Sequence, residues 1–215
     1  MQYRYELKFP IRKDKLYLVS TWLEKQKFIK KQFPNRKVNS CYYDTMYYKN
    51  ANDNIAGISR RLKHRSRSYN DSDNYTFEIK VKNGNLGSKL SCKLNNYSFY
   101  NNILSSNNFL SNPYYYLHNL KNLKLFPIIQ IEYLRSYYLI NNIRITLDDD
   151  IKYKNKSVNY KTNLFIHDNM SLLEIKFDKI YLKEAQNFFK NFPFRAKRNS
   201  KYLRGLSQLK IASYI

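Results

Sequence analysis

The segment Phe77-Glu78-Ile79-Lys80-Val81 alternates apolar and charged side chains with the period of a β-strand. Successive strand side chains point to opposite faces of a sheet, so the glutamate and the lysine share one face and the apolar residues share the other. The same pattern recurs in Tyr5-Glu6-Leu7-Lys8-Phe9 and Leu173-Glu174-Ile175-Lys176-Phe177. Three of the six glutamates of the chain lie in these copies, which random surface decoration would rarely produce. The pattern predicts a sheet with one apolar face and one face of paired charges.

Eight segments carry strand signals, and helices are predicted between some of them. The predicted strands are 2–9, 37–44, 58–69, 74–82, 88–94, 127–138, 143–149 and 171–177. The predicted helices are 13–32, 180–191 and 202–212, and 97–123 is helical at best in pieces. Only 4 Gly and 5 Pro in the chain argue against a linker, so we expect one domain over 1–215. The predicted fold class is α+β, with an antiparallel sheet large enough to curl or close.

The charge of the chain indicates an anionic partner. Lys and Arg number 39 against 16 Asp and Glu, and the net charge is +23. Such an excess favours nucleic acid, anionic lipid or a phosphate-rich ligand. The abundance of Asn, Lys, Tyr and Ile is typical of an AT-rich genome, which inflates the lysine count everywhere. Compositional drift cannot decide which face of a strand the charges occupy. Their placement is therefore better evidence for an anionic partner than their number.

The remaining composition indicates a cytoplasmic protein. Cys41 and Cys92 do not make a disulfide framework, and both are expected to be buried free thiols in a reducing compartment. The N-terminus has no apolar run that could act as a signal peptide, and no stretch of 18 apolar residues could span a membrane. We therefore expect a soluble, cytoplasmic chain.

The charged faces of the predicted strands are mostly cationic. The third strand alone places four cations on one face, which are Arg61, Lys63, Arg65 and Arg67. The other strands add polar residues of the same parity, which are Arg4, Glu6, Lys8, Glu78, Lys80, Lys82, Lys89, Lys93, Tyr133, Arg135, Arg144, Asp148 and Lys176. Cations gathered on one face repel each other unless something anionic compensates them. If the sheet closes, the charges line a wet interior that is a poor core and a good binder of phosphate.

The carboxylates on this face have two open roles. They could hold neighbouring lysines and arginines in place, or they could coordinate a divalent cation that bridges phosphate oxygens. For Glu6 and Glu78 the sequence does not separate these roles.

Several segments together resemble one known family, and their order and strand parity carry the resemblance. The segments are 4–8 (RYELK), 40–45 (SCYYDT), 61–69 (RLKHRSRSY), 77–80 (FEIK), 133–135 (YLR), 144–148 (RITLD), 173–176 (LEIK) and 200–202 (SKY). The sequence is similar to the vacuolar transporter chaperone (VTC) domain of polyphosphate polymerases, within the triphosphate tunnel metalloenzyme (CYTH-like) superfamily. The resemblance covers nearly the whole chain.

The resemblance implies a closed antiparallel eight-stranded β-barrel, a triphosphate tunnel, with flanking helices. It implies that a nucleoside triphosphate and polyphosphate bind inside with Mn or Mg. By this resemblance Glu174 would hold the metal, with Glu6 and Glu78 as further candidates, and Lys8 would lie nearest the transferred phosphoryl group. The implied phosphate-holding residues are Arg65, Arg67, Lys80, Arg135, Lys176 and Lys201. Further substrate-binding candidates on the cationic face are Arg4, Arg61, Lys63, Lys82, Lys89, Lys93, Tyr133 and Arg144.

The resulting hypothesis is a metal-dependent polyphosphate polymerase that transfers a nucleotide γ-phosphate to a growing polyphosphate chain. A phosphate acceptor is already anionic and needs no general base, which suits the dispersed His64, His118 and His167. Arg4 stands where the hydrolytic branch of the superfamily has its first glutamate, which favours the polymerase side. The chain lacks the SPX and membrane regions of the eukaryotic polymerases, so translocation of product would need another protein.

Three alternatives stay open. A tunnel-fold triphosphatase would admit water as the nucleophile, and a non-catalytic module would only bind polyphosphate or another polyanion. Nucleic-acid binding is disfavoured, because the aromatic residues mostly occupy the apolar parity of the strands. Outside this face, the lysines predicted on the first helix form a solvated face or a docking surface for a regulatory protein or an anionic membrane, and they are Lys25, Lys27, Lys30 and Lys31. Lys152, Lys154 and Lys156 are assigned to a loop.

Overall fold

The computed structural model describes residues 4–70, 72–84, 86–94, 124–157 and 164–211, with the backbone alone for 92–94. Its strands are β1 (Arg4–Arg12), β2 (Lys30–Asp44), β3 (Arg60–Tyr69), β4 (Tyr75–Asn83), β5 (Leu86–Leu94), β6 (Phe126–Ile140), β7 (Ile143–Asn155), β8 (Ile166–His167) and β9 (Met170–Phe177). Its helices are α1 (Leu16–Glu24), α2 (Lys49–Ile55), α3 (Leu182–Phe189) and α4 (Lys201–Gln208). The interpretation of 97–123 and the side chains of Cys92, Lys93 and His118 lie outside the described residues.

Eight of these strands follow one another in a hydrogen-bonded ring. The order is β6-β2-β3-β4-β5-β1-β9-β7, and β6 also pairs with β7, so the pairing returns to its start. Every pairing is antiparallel, and the short β8 adds to β7 beside the ring. Within the ring, the pairing between β1 and β5 is the shortest, because it consists only of Arg4 with Gly87 and Tyr5 with Leu86. The predicted antiparallel α+β class is confirmed, and the ring keeps the parity of each strand.

The predicted helix at 13–32 is wrong beyond residue 24. Lys13–Lys15 form a 3₁₀ turn and Leu16–Glu24 an α-helix, and β2 begins at Lys30, where its first residues pair with the far end of β6. Backbone pairing with a long neighbouring strand here overrides a helical apolar period. Pro34 falls within a register shift between Phe33 and Arg36, where its missing N–H does not interrupt the ladder.

Two further assignments are corrected by the long strand β7. Lys152 and Lys154 do not lie in a loop, because they pair with Glu132 and Gln130 of β6. Only Lys156 follows the end of the strand. Sequence patterns also missed α2, whose composition, Lys-Asn-Ala-Asn-Asp-Asn-Ile, has no apolar stripe.

The apolar core consists of two clusters, one on the outer face of the ring and one mostly on its inward face. One cluster packs α1 and α3 against β1, β7 and β9, with Trp22 stacked on Phe189 at 5.2 Å between ring centroids. A second cluster packs α2 and α4 against β2, β6 and β7. The first cluster leaves the polar parity of its strands facing the inside of the ring. The second shares that inward face with the charges, since Ile129 lies opposite Tyr42 and Ile131 opposite Ser40.

Asp44, at the end of β2, ties two helices to the ring. Its carboxylate accepts hydrogen bonds from the backbone N–H groups of Asn50 and Ala51 in α2, at 2.8 and 3.0 Å. It also accepts one from the Tyr202 hydroxyl of α4 at 2.8 Å. A buried carboxylate that accepts several donors is held in a fixed position, so α4 starts at a defined place beside the ring.

Two smaller findings concern the wider expectations. Cys41 is a buried free cysteine, and burial raises the pKa of its thiol to about 12, so the thiol is unreactive at neutral pH. Within the described ranges, none of the helices has the length and apolar character needed to cross a lipid bilayer.

Candidate anion-binding site

The polar side chains of the ring form two neighbouring sets of ion pairs, which we together call the interior network. Its cations come from six strands and one helix and are Lys8, Arg65, Arg67, Lys80, Lys89, Arg135, Lys176 and Lys201. Its carboxylates are Glu6, Glu78, Asp148 and Glu174. Cations outnumber carboxylates two to one, so the network keeps an excess of positive charge. All six residues that the resemblance assigns to phosphate belong to it.

Glu78 organises the part of the network on β3, β4 and β5. The register places Glu78 directly opposite Arg65, which donates from Nε to Oε2 at 2.7 Å. Lys89 donates to Oε1 at 2.6 Å, and Arg67 lies 3.8 Å from Oε2. Burial favours the protonated form of Glu78, but Arg65 and Arg67 outweigh it and hold its pKa well below the usual range. Glu78 is therefore an anion that fixes the two arginines.

Glu6 and Glu174 form the neighbouring part, and they share two lysines. The cross-strand pairs are Lys8 with Glu174 and Glu6 with Lys176. Lys176 Nζ lies 3.6 Å from Glu6 and 3.2 Å from Glu174, while Lys8 Nζ lies 4.0 and 3.6 Å from the same two carboxylates. Lys80 reaches across from β4 to Glu6 at 2.7 Å. The repeated Glu-aliphatic-Lys segments thus build this region in reciprocal pairs.

Asp148 holds Arg135 and Lys201 at the third part of the network. Arg135 lies opposite Asp148 in the β6–β7 ladder and makes a two-pronged contact, with Nη2 2.7 Å from Oδ2. Lys201, the first residue of α4, inserts its Nζ against the same Oδ2 and lies 3.5 Å from Glu174. Burial would lower the pKa of Lys201, but Asp148 and Glu174 outweigh it and raise that pKa. Lys201 is therefore a charged lysine held by the carboxylates.

Two buried tyrosines join these parts. Arg67 donates from Nη2 to the Tyr133 hydroxyl at 3.0 Å, and Lys201 Nζ lies 4.8 Å from the centroid of the same ring. Arg65 donates from Nη1 to the Tyr42 hydroxyl at 3.0 Å. Burial would raise the pKa of Tyr42, but Arg65 and Arg67 outweigh it and lower that pKa. The tyrosine hydroxyls therefore serve as hydrogen-bond acceptors for Arg65 and Arg67, in addition to the carboxylate of Glu78.

One end of the ring is crossed by the segment 197–201. The backbone N–H of Lys197 donates to the carbonyl of Lys8 at 2.9 Å, and Lys8 Nζ donates to the carbonyl of Asn199 at 3.0 Å. Lys63 Nζ donates to the Ser200 hydroxyl at 2.7 Å. The two ends of the ring are therefore different, and lysines line the crossed end.

Two of the buried lysines, Lys63 and Lys80, have lowered pKa values because they are buried close to other cations. Burial, together with Lys8 and Lys176, lowers the pKa of Lys80 to about 7, although Glu6 opposes the shift. Burial and the nearby Lys8 and Lys80 also lower the pKa of Lys63 well below its ordinary value. Such shifts identify a place where an incoming anion would be favoured, since it restores the charged forms.

The other substrate-binding candidates lie around this network. Arg61 donates to the carbonyl of Ile58 at 2.7 Å, and Lys82 is half-buried, with a pKa that burial lowers. Arg4 is exposed at the start of β1. Arg144 lies 5.6 Å from the ring centroid of Tyr137 and is not part of the carboxylate contacts.

Sequence reasoning missed three contributors. It places Asp148 on the polar parity without a role, although Asp148 contacts both Arg135 and Lys201. It does not propose Tyr42 and Ser40, yet they accept hydrogen bonds from Arg65 and Arg67. The available signal was register: both lie directly opposite those arginines in the β2–β3 ladder.

The carboxylate oxygens of Glu174 and Glu6 suit a divalent cation whose remaining coordination positions are filled by a bound ligand. In the described ranges, no three or more His, Cys, Asp or Glu side chains converge as a metal-binding group. Glu6 and Glu174 nevertheless share two lysines, and the buried Oε1 of Glu6 accepts no hydrogen bond. Mg²⁺ commonly uses one or two carboxylates together with substrate phosphates, and this pair fits that pattern. Glu78 lies apart from the pair, among its own arginines.

Solved structures define the class of fold. A candidate adenylate cyclase from Vibrio parahaemolyticus superimposes with a TM-score of 0.53 at 14% identity, covering 95% of this chain and 98% of that chain. PH1819 protein from Pyrococcus horikoshii gives 0.51 at 12% identity over 95% and 99% of the two chains. A candidate adenylyl cyclase from Hippeastrum, reported to have a dominant triphosphatase activity, gives 0.53 at 11% identity over 96% of each chain. The chain thus shares its overall fold with these proteins.

The family is shown by sequence. The family profile of the VTC domain matches residues 3–210, which is nearly the whole chain. The chain belongs to the VTC-domain family. No curated protein shows significant sequence similarity to it.

Proposed function

We propose that the ring encloses a tunnel in which the chain transfers the γ-phosphate of a nucleoside triphosphate to polyphosphate. The observation that carries the proposal is the interior network, in which eight cations surround four buried carboxylates. A low-dielectric interior with excess positive charge is a site for an extended anion, and polyphosphate is the anion that membership of the VTC-domain family suggests.

The arginines would bind the phosphates in a defined geometry. Arg65, Arg67 and Arg135 each have a buried oxygen partner that orients the guanidinium before a ligand arrives. Planar guanidinium groups give two-pronged contacts to phosphate oxygens, and the lysines beside them give point charges. Phosphoryl transfer depends mainly on such positioning and on neutralising charge at the equatorial oxygens.

Glu174 and Glu6 would hold Mn or Mg, which would supply Lewis-acid stabilisation of charge on the phosphate oxygens when bound. Lys8 and Lys176, which lie beside these carboxylates, would contribute positive charge to the bound phosphates. Glu78 would keep the first of its two expected roles, which is to hold Arg65 and Arg67.

The acceptor of the reaction would be the terminal phosphate of a polyphosphate chain. This acceptor is already anionic, so the interior needs no general base. The buried lysines near Glu6 would draw the two anions together, and Lys8 would lie beside the transferred group, as the family resemblance implies.

The test is incubation of the pure protein with ATP and Mn or Mg, followed by separation of the products by size. Long polyphosphate from the wild type, with its loss in an Arg65→Ala, Arg67→Ala double variant, is the expected result. Long polyphosphate from the double variant at the wild-type rate would contradict the role of the network. Lys183→Ala in α3 provides a control outside the interior.

A second candidate function is hydrolysis of triphosphate substrates by the same interior. The reported triphosphatase activity of the structurally similar Hippeastrum protein favours it. Release of single phosphate without any polymer would support hydrolysis. Tight binding of polyphosphate with neither product would support a binding module.

A further inference from the structure

The end of the ring opposite segment 197–201 carries a cluster of aromatic and arginine side chains that the interior network does not include. We call it the aromatic rim, and its members are Phe33, Arg36, Tyr69, Tyr137 and Arg144. β3 relates the two ends: Lys63 contacts Ser200 at the crossed end, and Tyr69, six residues later, lies about 20 Å away along the strand. The rim is thus the end that the segment leaves uncrossed.

The rim contains a pair of rings with a guanidinium against both. Phe33 and Tyr137 lie edge to face, with ring centroids 5.6 Å apart. The Arg36 guanidinium lies 5.0 Å from the centroid of Phe33 and 5.7 Å from that of Tyr137. Tyr137 is buried, whereas Phe33 is 39% exposed and so offers ring surface to a ligand. Exposed rings beside arginine are surfaces on which nucleobases stack.

Arg144 adds an unused donor to the rim. It lies 5.6 Å from the centroid of Tyr137 and interacts electrostatically with Tyr69 and Arg135. Among the described residues, its buried Nε has no hydrogen-bond partner. A buried donor without an acceptor is costly, so an acceptor supplied by a ligand would be favoured there.

The rim adjoins the phosphate-binding cations, and its rings lie further along the strands than those cations do. Arg36 is directly opposite Arg135, and Arg144 is directly opposite Lys176. Tyr137 follows Arg135 by two residues on the same face, which is about 7 Å along the strand. A ligand with its phosphates on Arg135 and Lys176 and a planar group one step outward would therefore reach the rings.

We propose that the aromatic rim is the nucleobase subsite of the donor nucleotide. This proposal rests on the proposed function and deepens it. The base would stack on Phe33, the Nε–H of Arg144 would donate to the ribose or the innermost phosphate, and the triphosphate would extend inward to Arg67, Arg135 and Lys176. The nucleotide would enter by the rim, with its γ-phosphate foremost. Stacking tolerates any base, so purine nucleotides would bind more tightly than pyrimidine nucleotides without strict selection.

The test compares ATP with inorganic tripolyphosphate, which has the same phosphates and no base. Calorimetric affinities are measured for the wild type, for Phe33→Ala and for Phe33→Tyr. We expect Phe33→Ala to weaken ATP about ten-fold and to leave tripolyphosphate unchanged, because only ATP loses a stacking partner. Phe33→Tyr should keep the wild-type affinity for both. Phe28→Ala is the matched control, since Phe28 is a 74% exposed aromatic residue just before β2.

The other outcomes distinguish failure of the nucleobase subsite from failure of the proposed function. Equal weakening of both ligands, or no weakening of ATP, overturns the subsite and leaves the proposed function standing. Wild-type protein that binds neither ATP nor tripolyphosphate overturns the proposed function, and the subsite with it.

Discussion

Charge on the buried lysines depends on neighbours more than on the side chain itself. Lys80 has one carboxylate partner, Glu6, and shares its surroundings with Lys8 and Lys176. The same crowding that lowers its pKa makes it responsive to an anion, which would restore the proton. Lys201 shows the opposite case, because two carboxylates raise its pKa.

The shifted pKa of Lys80 gives a pH-dependent affinity. With a pKa of about 7 in the free protein, Lys80 is charged below that pH and loses charge above it. The affinity for tripolyphosphate should therefore fall as the pH rises from about 6.5 to 8.5, and Lys80→Arg should flatten the profile because arginine stays charged. Calorimetry across this range checks the expectation, and parallel profiles for the two proteins would contradict it.

The same shift affects stability with the opposite sign. The unfolded chain keeps this lysine protonated up to the ordinary lysine pKa of 10.5, whereas the folded chain loses the proton near a pH of about 7. The unfolded state therefore binds more protons between these values, and the contribution of Lys80 to the free energy of unfolding rises with pH in that window.

Removal of an interior arginine should cost stability as well as activity. Cation repulsion alone predicts that losing Arg65 and Arg67 would relieve strain. Glu78, however, is only 3% exposed and would lose one of its two closest partners in Arg65→Ala. We expect a loss of about 2 kcal/mol in the free energy of unfolding, less than the roughly 3–5 kcal/mol typical of such pairs, because Lys89 remains.

The matched variant for this loss is the Arg65→Ala, Glu78→Gln double substitution. It removes the stranded carboxylate and should recover most of the stability, while phosphate affinity stays low. Urea unfolding measures both variants. If the single variant were as stable as the wild type, Glu78 would have no organising role.

Helix α4 contributes a lysine to the interior network, which is otherwise built from strand residues. Its first residue, Lys201, enters the interior, and Tyr202 is fixed by Asp44. The helix lies close to the inward-facing side chains of β6 and β7 because residue 205 is glycine: a Cβ there would come within 2.6 Å of Ile129 and 2.7 Å of Tyr153. Close packing at one position therefore sets the reach of a lysine one turn away.

Gly205→Ala should lower both stability and phosphate affinity. In an open helix this change would stabilise by about 1 kcal/mol, but the clash with Ile129 and Tyr153 should reverse the sign and cost about 1–3 kcal/mol. Displacement of α4 should also withdraw Lys201 and weaken tripolyphosphate binding. Thermal unfolding and calorimetry measure the two effects. Gln208→Ala, at an exposed position of the same helix, should change neither.

The molecule as a whole divides its apolar core between the two faces of the ring. The first cluster fills the space between α1, α3 and the outer face, and the second fills the part of the interior against which α4 packs. The interior network is then stabilised by its own carboxylates, with cations left in excess. A polyanion would complete it.

Tripolyphosphate should therefore stabilise the folded protein strongly. At a concentration about one hundred times the Kd, a ligand that binds only the folded state adds about 2.7 kcal/mol, which appears as a higher Tm. Sodium chloride at the same ionic strength should give a smaller shift, because it only screens the charges. Equal shifts would mean that general screening, and not a site, accounts for the effect.

Local sequence was sufficient for the strands and for the face on which each charge lies. The pleat makes parity a property of a few consecutive residues, so Glu78 and Lys80 could be placed together without knowledge of any partner. Alternation likewise places Glu132 on the opposite face from Arg135, where it contacts Gln130 and Lys37 instead of the network. The helix predicted over 13–32 is wrong at Lys30, because Lys30 pairs in a strand with Leu139, which is remote in sequence.

The partners of these charges were decided only in three dimensions. Glu78 and Glu174 occur in the same tripeptide pattern, yet one holds arginines and the other shares lysines with Glu6, because different strands lie beside them. Lys201 meets Asp148 across 53 residues of chain, and that distance depends on the packing of α4 at Gly205. Sequence alternation thus determined which side chains face inward. Register and helix packing determined which of them meet, because those depend on contacts between residues far apart in the chain.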